Sequence, residues 1–323
     1  MINSKSKLAY YLKSILASFS LHKNTTDNIC ILSNRRSGST LLTELIATNP
    51  NIRFVDQPME VWAFNPYRNY LPNVSYGQYI SLSQSDLNKL KKYMEDIVFR
   101  NKLKGYTQWN IFTKSYHFKT NRTVVKLLNC LPLINWFHNN LECKSLYFYR
   151  HPVPVSLSII KRGWGNVSNA YLSNDIYRET YLNEEIYNFS MDILKNGTLI
   201  SKFVLEWCLT NLVPIKYNKM PKYVLSYEEL ILHPVKAIEY LTDNFELNNK
   251  NDMLEKLNSP SKTALPETVK EIREKGNKYI ATRWMERIDP NDYDDVLDIL
   301  KIFELDIYDH RSGLLKSKYR NLA

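Results

Sequence analysis

Short apolar runs alternate along this chain with segments whose apolar residues recur at helical spacing. The first run, residues 28–33, is apolar at its centre, as in a strand buried on both faces of a sheet. A helix is predicted from about Ser39, with one apolar face formed by Leu41, Leu42, Leu45 and Ile46. A second short run at 52–55 follows Asn49-Pro50, a pair that ends helices. The opening therefore predicts a β-α-β unit.

The same alternation continues along the chain. Three more apolar runs predict strands, at 123–126, 145–149 and 222–226. Three more helices are predicted, with Pro152, Pro234 and Pro290 in their first turns. Because strands and helices alternate, we expect a single α/β domain, doubly wound around a central parallel sheet. Ligands bind such sheets outside the carboxyl ends of the strands.

Two long segments and both termini fall outside this pattern. Residues 60–120 are irregular, aromatic and polar apart from a helical stretch near 87–99, and residues 164–197 are rich in Tyr and Asn. We expect both segments to shape a binding pocket, because long segments outside a regular core commonly carry function. The predicted organisation is a helical N-terminal extension at 1–27, a domain at 28–310 and a C-terminal tail at 311–323.

Composition and charge narrow the class of protein. The 323 residues are 44% hydrophobic and 24% charged, as in a folded globular protein. A net charge of +10 suits an anionic ligand, a nucleic acid or an anionic membrane surface. No run of Lys and Arg exceeds two residues, so we expect no nucleic-acid partner. The four cysteines have neither disulfide nor metal spacing and are expected to be reduced and buried.

The N-terminal apolar stretch at 8–17 is too short, and too interrupted by Lys13, to span a membrane. A helix packed on the domain is the favoured interpretation, with a signal-like or interfacial helix as the alternative. We therefore expect a cytoplasmic protein without a transmembrane span. Membrane association through the N-terminal segment is the alternative.

The strongest chemical signal lies between the first strand and its helix, where residues 33–42 read Ser-Asn-Arg-Arg-Ser-Gly-Ser-Thr-Leu-Leu. Small residues let backbone N–H groups curl around an anion, and the helix N-terminus adds a partial positive charge. Hydroxyl groups can donate to phosphate oxygens, and an arginine can bind them with two parallel hydrogen bonds. A simple Ser/Gly helix cap does not account for two adjacent arginines. The predicted phosphate-binding residues are Arg35, Arg36, Ser37, Gly38, Ser39, Thr40 and Leu41.

This loop resembles the 5′-phosphosulfate-binding loop of sulfotransferases that use 3′-phosphoadenosine 5′-phosphosulfate (PAPS). Cytosolic members of that family have Lys-Ser-Gly-Thr-Thr-Trp there, so Arg36 takes the place of the lysine and Leu41 that of the tryptophan. The resemblance is closer to bacterial and carbohydrate-type members than to cytosolic aryl-type members. It implies a P-loop-like α/β fold, PAPS as co-substrate, 3′-phosphoadenosine 5′-phosphate (PAP) as product, and no metal.

Two further motifs resemble the same family. An apolar strand ends at Arg150 and Ser158 follows eight residues later, which is similar to the family's 3′-phosphate signature, although His151 stands where Asp is common. An Arg at a strand end and a Ser two turns further can converge on one phosphate. Tyr227, in Tyr-Glu-Glu-Leu, is similar to the family's tyrosine near the adenine. A polar turn before a helix is the alternative interpretation of that element.

The resemblance also implies catalytic groups. Lys126 ends a strand twenty-four residues before the 3′-phosphate arginine, like the family's second active-site lysine, and Lys114 is a weaker competitor. A cation there would neutralise charge on the transferring sulfuryl group. No His closely follows Lys126 as in cytosolic members. Glu60 instead resembles a carboxylate of bacterial carbohydrate-type members and would act as general base, with a surface Glu as the alternative and His117 and His138 as other candidate bases.

Two other functions stay open. A P-loop kinase would need Gly-Lys-Ser/Thr at the loop, and this chain has no Gly-Lys there. A catalytically silent protein that binds nucleotides or polyanions would use the same loop and charge. For a sulfotransferase, we expect the two segments at 60–120 and 164–197 to bind the acceptor. The acceptor is expected to carry a hydroxyl group, as in a sugar, a polar lipid or a small alcohol. A looser match to the family's C-terminal Arg-Lys-Gly segment and later Trp is formed by Arg273, Lys275, Gly276 and Trp284, which a solvated charged helix explains nearly as well.

Overall fold

The computed structural model describes residues 8, 12, 15, 19–61, 65, 67–100, 116–217, 221–320 and 322. Its strands are β1 (Leu21–His22), β2 (Asn28–Ser33), β3 (Ile52–Asp56), β4 (Lys119–Thr120), β5 (Arg122–Leu128), β6 (Cys143–Tyr149) and β7 (Tyr223–Ser226). Five of them form one sheet in the order β3-β5-β2-β6-β7, and every neighbouring pair is parallel. β1 pairs with β4 in a separate parallel ribbon.

The helices surround this sheet. They are α1 (Ser39–Ile46), α2 (Gln84–Lys92), α3 (Ile134–Asn140), α4 (Pro152–Lys161), α5 (Ser168–Leu172), α6 (Asp175–Tyr181), α7 (Glu184–Asn196), α8 (Leu199–Leu212), α9 (Tyr227–Leu232), α10 (Pro234–Phe245), α11 (Lys250–Leu257), α12 (Pro266–Thr282) and α13 (Pro290–Ile302). Wider π-helical turns continue α2 through Tyr93–Phe99 and α8 through Val213–Tyr217. α12 is interrupted at Gly276, whose φ of 78° is not helical.

Both faces of the sheet are buried, as the apolar strands predict. In β2, Ile29 and Ile31 pack into one core with α1, α10 and α11, whereas Cys30 and Leu32 pack into another with α3, α4 and α8. The chain leaves β2 toward β3 on one side and leaves β6 toward β7 on the other. The strand order therefore reverses between β2 and β6, where a crevice forms at the carboxyl ends of the strands.

The predicted fold class is confirmed, and so are the five strands of the main sheet and the helices that begin at Ser39, Pro152, Pro234 and Pro290. All four cysteines are free and buried, as expected. The interpretation of 164–197 as lying outside the regular structure is wrong, because α5, α6 and α7 occupy most of it. Asn174 and Asn183 accept hydrogen bonds from the backbone N–H groups of Tyr177 and Ile186, so these asparagines cap helices.

The N-terminal prediction is only partly covered by the described residues. Leu8, Leu12 and Ile15 are helical and exposed, whereas the sequence favoured a helix packed on the domain. Leu21 and His22 belong to β1, so the segment 1–27 is not helical throughout. The rest of 1–18 lies outside the described residues.

Candidate functional site

A cavity of about 1120 Å³ lies at the carboxyl ends of the strands. It brings together segments that are far apart in the sequence. The predicted site residues in its wall are Arg35, Arg36, Gly38, Ser39, Thr40, Leu41, Glu60, Lys126, Arg150, Ser158 and Tyr227. Ser37 lies behind the wall and is fully buried, where its Oγ donates to the carbonyl of Asn34 at 2.8 Å. The Ser37 side chain therefore braces the loop from inside.

The loop after β2 has the form of an anion-binding turn. Gly38 precedes α1 with φ 93°, and no side chain caps this helix N-terminus. A Cβ atom at Gly38 would lie 2.5 Å from Cδ2 of Tyr227, so only glycine fits between the loop and that ring. The uncapped first turn leaves backbone N–H groups and the positive end of the helix dipole for an anion.

Arg36 connects the loop to the second motif. Its backbone is left-handed, with φ 65°, and its Nε donates to Oγ of Ser158 at 2.9 Å. Burial, together with repulsion from the nearby Arg162 and Arg150, lowers the pKa of Arg36 to about 10. Guanidinium groups crowded in this way favour an anion between them.

Arg150, at the end of β6, connects the second motif to the third. Its guanidinium carbon lies 4.0 Å from the centre of the Tyr227 ring, and Nη2 donates to the carbonyl of Ile280 at 3.3 Å. Its Nε is buried and has no hydrogen-bond partner among the described residues. The Nε–H of Arg150 is therefore available to donate a hydrogen bond at the place where the sequence predicts a phosphate.

The residues around Arg150 show the structural roles of His151 and of the element that begins at Tyr227. His151 caps α4, since its Nδ1 accepts from the N–H of Val153 at 3.2 Å, and its ring stacks on Trp284 at 4.2 Å. Tyr227 begins a helix that Ser226 caps from the preceding position, so this element is not a bare turn. The backbone N–H of His151 donates to Oε1 of Glu228 at 3.0 Å, and burial raises the pKa of Glu228 to about 7 against the pull of Arg150.

Lys126 is held by a carboxylate that the sequence did not indicate. Asp56 and Lys126 are direct partners in the neighbouring strands β3 and β5, and Nζ lies 2.7 Å from Oδ1 of Asp56. Nζ also lies 3.2 Å from Oγ1 of Thr40. The Lys126 side chain is only 4% exposed, whereas Asp56 is 30% exposed and lies in the cavity wall. Only the order of the strands brings these two residues together.

Glu60, the predicted base, lies in the same wall and is half-buried. Its backbone N–H donates to the carbonyl of Gln57 at 3.1 Å, and its Oε1 accepts from the N–H of Val61 at 2.8 Å. His117 and His138, the other candidate bases, are not in the wall. Lys114 lies outside the described residues.

Arg35 is engaged by a different partner. Its guanidinium binds the buried carboxylate of Glu206 through two hydrogen bonds, of 2.8 and 2.6 Å. It also donates to the carbonyl of Gly165 at 2.7 Å, and Glu206 accepts from the N–H of Val167 at 2.9 Å. Arg35 therefore fixes the loop at 163–167 to the phosphate loop, and Arg36 is the arginine with its guanidinium available to a phosphate.

The loose C-terminal match is not supported by the structure. Arg273, Lys275 and Gly276 are exposed and lie outside the wall, and only Trp284 is buried there. From this C-terminal region, the cations in the wall are Arg283 and Arg287. Burial, together with repulsion from Arg287 and Arg150, lowers the pKa of Arg283 to about 10. Arg283 and Arg287 precede and follow Trp284 in the sequence, and this proximity could have indicated them as site residues.

The described residues contain neither a metal-binding cluster nor a membrane-spanning helix. In this part of the chain, no group of three or more His, Cys, Asp or Glu side chains could hold a metal ion. Metal independence stays a prediction. None of the helices described is both long and apolar enough to cross a bilayer.

Comparison with solved structures finds only distant similarity. A mouse sulfotransferase, SULT7A1 complexed with PAP, is 13% identical, with 91% of this chain and 90% of that chain covered and a TM-score of 0.42. A sulfotransferase from Alicyclobacillus acidocaldarius is 11% identical, with 87% and 97% covered and a TM-score of 0.34. Likenesses this weak assign no residue.

Curated proteins and protein families give different results. No curated protein matches the chain. The family described as "Sulfotransferase domain" matches residues 26–291, which is most of the chain and includes all three motifs. The chain therefore belongs to the sulfotransferase domain family.

Proposed function

We propose that this protein transfers the sulfuryl group of PAPS to an acceptor hydroxyl. The observation that carries the proposal is the chain of contacts through three motifs in one cavity. Arg36 contacts Ser158, Arg150 stacks on Tyr227, and Tyr227 packs against Gly38. Each contact joins residues more than seventy positions apart, so their meeting at one anion-binding wall is not a property of local sequence.

The wall fits a nucleotide with phosphate groups at two positions. The uncapped N-terminus of α1 and Arg36 would hold the 5′-phosphosulfate. Arg150 and Ser158 would hold the 3′-phosphate, for which the buried Nε of Arg150 supplies a donor. Tyr227, beneath Arg150, would contact the adenine. Crowding of Arg36, Arg150 and Arg162 costs less once phosphate charge lies among them, which supports a polyanionic ligand.

The donor supplies a sulfuryl group: the acceptor oxygen forms a bond to sulfur while the bond from sulfur to the 5′-phosphate oxygen breaks, and PAP leaves with the electron pair. Glu60 takes the proton of the acceptor hydroxyl. Lys126 and Arg36 balance the negative charge that develops on the transferred group and the bridging oxygen. Asp56 positions Lys126, because its carboxylate fixes the ammonium group 2.7 Å away beside Thr40.

The test is a transfer assay with [35S]PAPS combined with calorimetry. We expect PAP to bind far more tightly than adenosine 5′-monophosphate, and radiolabel to pass to a hydroxyl-bearing acceptor in excess EDTA. Loss of activity in EDTA that Mg²⁺ restores would favour the kinase alternative. Tight PAP binding without transfer to any acceptor would instead favour the silent nucleotide-binding protein.

A further inference from the structure

The wall of the cavity is unusual in its backbone. Seven described residues other than glycine have a positive φ, and four of them line this cavity: Arg36 (65°), Gln57 (48°), Tyr76 (51°) and Asn129 (62°). The left-handed region is unfavourable for residues with a Cβ atom, and such residues concentrate at functional sites. Arg36 belongs to the donor motif. The other three have no role in donor binding.

Gln57 and Asn129 are held in this conformation by the ends of neighbouring strands. Gln57 directly follows β3 and Asn129 directly follows β5. The N–H of Gln57 donates to the carbonyl of Lys126 at 3.0 Å, and the carbonyl of Asn129 accepts from the N–H of Tyr79 at 2.7 Å. Both residues therefore flank the Lys126–Asp56 pair, on rigid backbone.

The side-chain amides of Gln57 and Asn129 are a second feature of this wall. Neither the amide of Gln57 nor that of Asn129 has a hydrogen-bond partner within the described part of the chain, and both residues are half-buried in the wall. Two aromatic residues of the same wall are exposed, Tyr76 at 54% and Trp164 at 42%. The Trp164 ring lies under the guanidinium groups of Arg36 and Arg162, at 5.7 and 6.0 Å. The acceptor end of the cavity thus offers two amides without a partner among the described residues, together with the exposed ring of Tyr76.

This combination matches one chemical class. An amide has both donors and an acceptor, so it can bind the adjacent hydroxyl groups of a polyol, each of which donates and accepts. An aromatic ring offers an apolar face to the C–H side of a sugar ring. A phenol has a single hydroxyl group and would leave both amides unpaired, at a cost that disfavours its binding.

We propose that Gln57 and Asn129 bind the acceptor and select a polyhydroxylated molecule, a sugar that is either free or the headgroup of a lipid. The inference rests on the proposed function, because the sugar hydroxyl is the group that receives the sulfuryl group. Gln57 and Asn129 place the sugar beside Glu60, whose N–H is bonded to the carbonyl of Gln57.

Glycine substitutions test the two amides without disturbing the fold. Glycine favours the left-handed region, so Gln57→Gly and Asn129→Gly remove the amide and keep the backbone. Asn51→Gly is the matched control, because Asn51 is also left-handed, with φ 61°, but is exposed and outside the cavity wall. The acceptors are a library of mono- to tetrasaccharides, the same sugars as glycolipid headgroups in phosphatidylcholine vesicles, and the phenols 4-nitrophenol and 2-naphthol.

We expect the wild-type enzyme to pass 35S to sugars in preference to phenols. The comparison of free sugars with glycolipids then shows whether the acceptor is a free sugar or the headgroup of a lipid. Each cavity variant should raise the acceptor KM about three- to ten-fold, as for one hydrogen bond, with PAP affinity unchanged. Asn51→Gly should change neither value. Transfer to phenols alone, or an unchanged acceptor KM in both cavity variants, would overturn the inference and leave the proposed function intact. Failure of the wild-type protein to bind PAP would overturn the proposed function, and the inference with it.

Discussion

The two ends of the cavity are built in different ways. At the donor end, short segments after β2, β6 and β7 contact one another through Arg36–Ser158 and Arg150–Tyr227, and cations dominate. At the acceptor end, the last residue of β3 and the turns after β3 and β5 contribute carboxylates and amides, with the residues Asp56, Gln57, Glu60 and Asn129. The donor end has the charge and geometry to bind phosphate groups, whereas the acceptor end has groups that can accept a proton or bind hydroxyls.

Because of this difference, we expect nucleotide binding and sulfuryl transfer to depend on different residues. A change at the donor end should weaken nucleotide binding, and a change at the acceptor end should slow transfer or weaken acceptor binding while the nucleotide stays bound. Arg35 and Glu206 form a third place, because their pair ties the phosphate loop to the loop at 163–167, whose Trp164 ring lies 5.7 Å from the Arg36 guanidinium. Substitutions in each of the three places test whether the division is real.

The largest effect is expected at Glu60. Glu60→Gln keeps the size of the side chain and removes its basicity, so kcat should fall about 10²–10⁴-fold, the usual range for loss of a general base. PAPS affinity should stay within a few-fold, because donor binding lies at the other end of the cavity. Glu255→Gln, on the exposed side of α11, is the control. Near-normal turnover in Glu60→Gln would exclude it as the base and make Asp56 the next candidate.

Of the contacts around the cavity, the Arg35–Glu206 pair should contribute most to the stability of the fold. Glu206 is 5% exposed on its side chain, so Glu206→Ala leaves the Arg35 guanidinium in a poorly solvated position without its carboxylate. We expect the free energy of unfolding to fall by about 3–5 kcal/mol, measured by urea denaturation. Glu239→Ala breaks the exposed pair with Lys250 and should cost less than about 1 kcal/mol. Equal losses in the two variants would contradict a structural role for the Arg35–Glu206 pair.

Arg150 tests the donor end alone. Arg150→Ala should weaken PAP binding by about 2–4 kcal/mol, as expected when a charge-assisted contact in a desolvated site is lost. Binding of adenosine 5′-monophosphate, which lacks the 3′-phosphate, should barely change in the same calorimetric series. Arg178→Ala removes a half-buried arginine of α6 that lies outside the cavity wall, and serves as the control. If both ligands lost affinity equally, Arg150 would not be the residue that binds the 3′-phosphate.

The donor end could be predicted from the sequence because its parts are local. The phosphate loop is a run of ten residues, and the Arg150–Ser158 spacing lies within one strand and the helix after it. The strands themselves were predictable because burial on both faces makes them apolar throughout. The boundaries of the strands were less predictable, since β5 extends to Leu128, two residues past the predicted end.

The acceptor end could not be predicted in the same way, because its contacts depend on the order of the strands. Asp56 meets Lys126 only because β3 lies beside β5. The Arg35–Glu206 pair, outside the acceptor end, was equally unpredictable, because its two residues are 171 positions apart. The asparagines of 164–197 gave a misleading signal: Asn174 and Asn183 suit a polar pocket but cap helices instead. The left-handed backbone conformation of Gln57 corresponds to no pattern in the sequence.

The smallest effect concerns Glu228, which lies behind the donor end and is buried. Burial raises its pKa from 4.5 to about 7, although Arg150 and the His151 N–H oppose the rise. A carboxyl group whose pKa is higher in the folded protein favours folding when it is protonated. Its contribution is therefore fully present below about pH 4.5 and is lost as the pH rises toward 7. The shift amounts to no more than about 3 kcal/mol.

Glu228→Gln removes this titration while its amide oxygen can still accept the hydrogen bond from His151. Urea unfolding at pH 5 and pH 8 should therefore show the variant gaining stability relative to the wild type as the pH rises, by up to about 3 kcal/mol. Glu255→Gln, at an exposed site, should run parallel to the wild type over the same range. A parallel course for Glu228→Gln as well would mean that Glu228 ionises near its ordinary pKa. The carboxylate would then stay charged beside Arg150 at neutral pH, and the donor end would be less cationic than its arginines suggest.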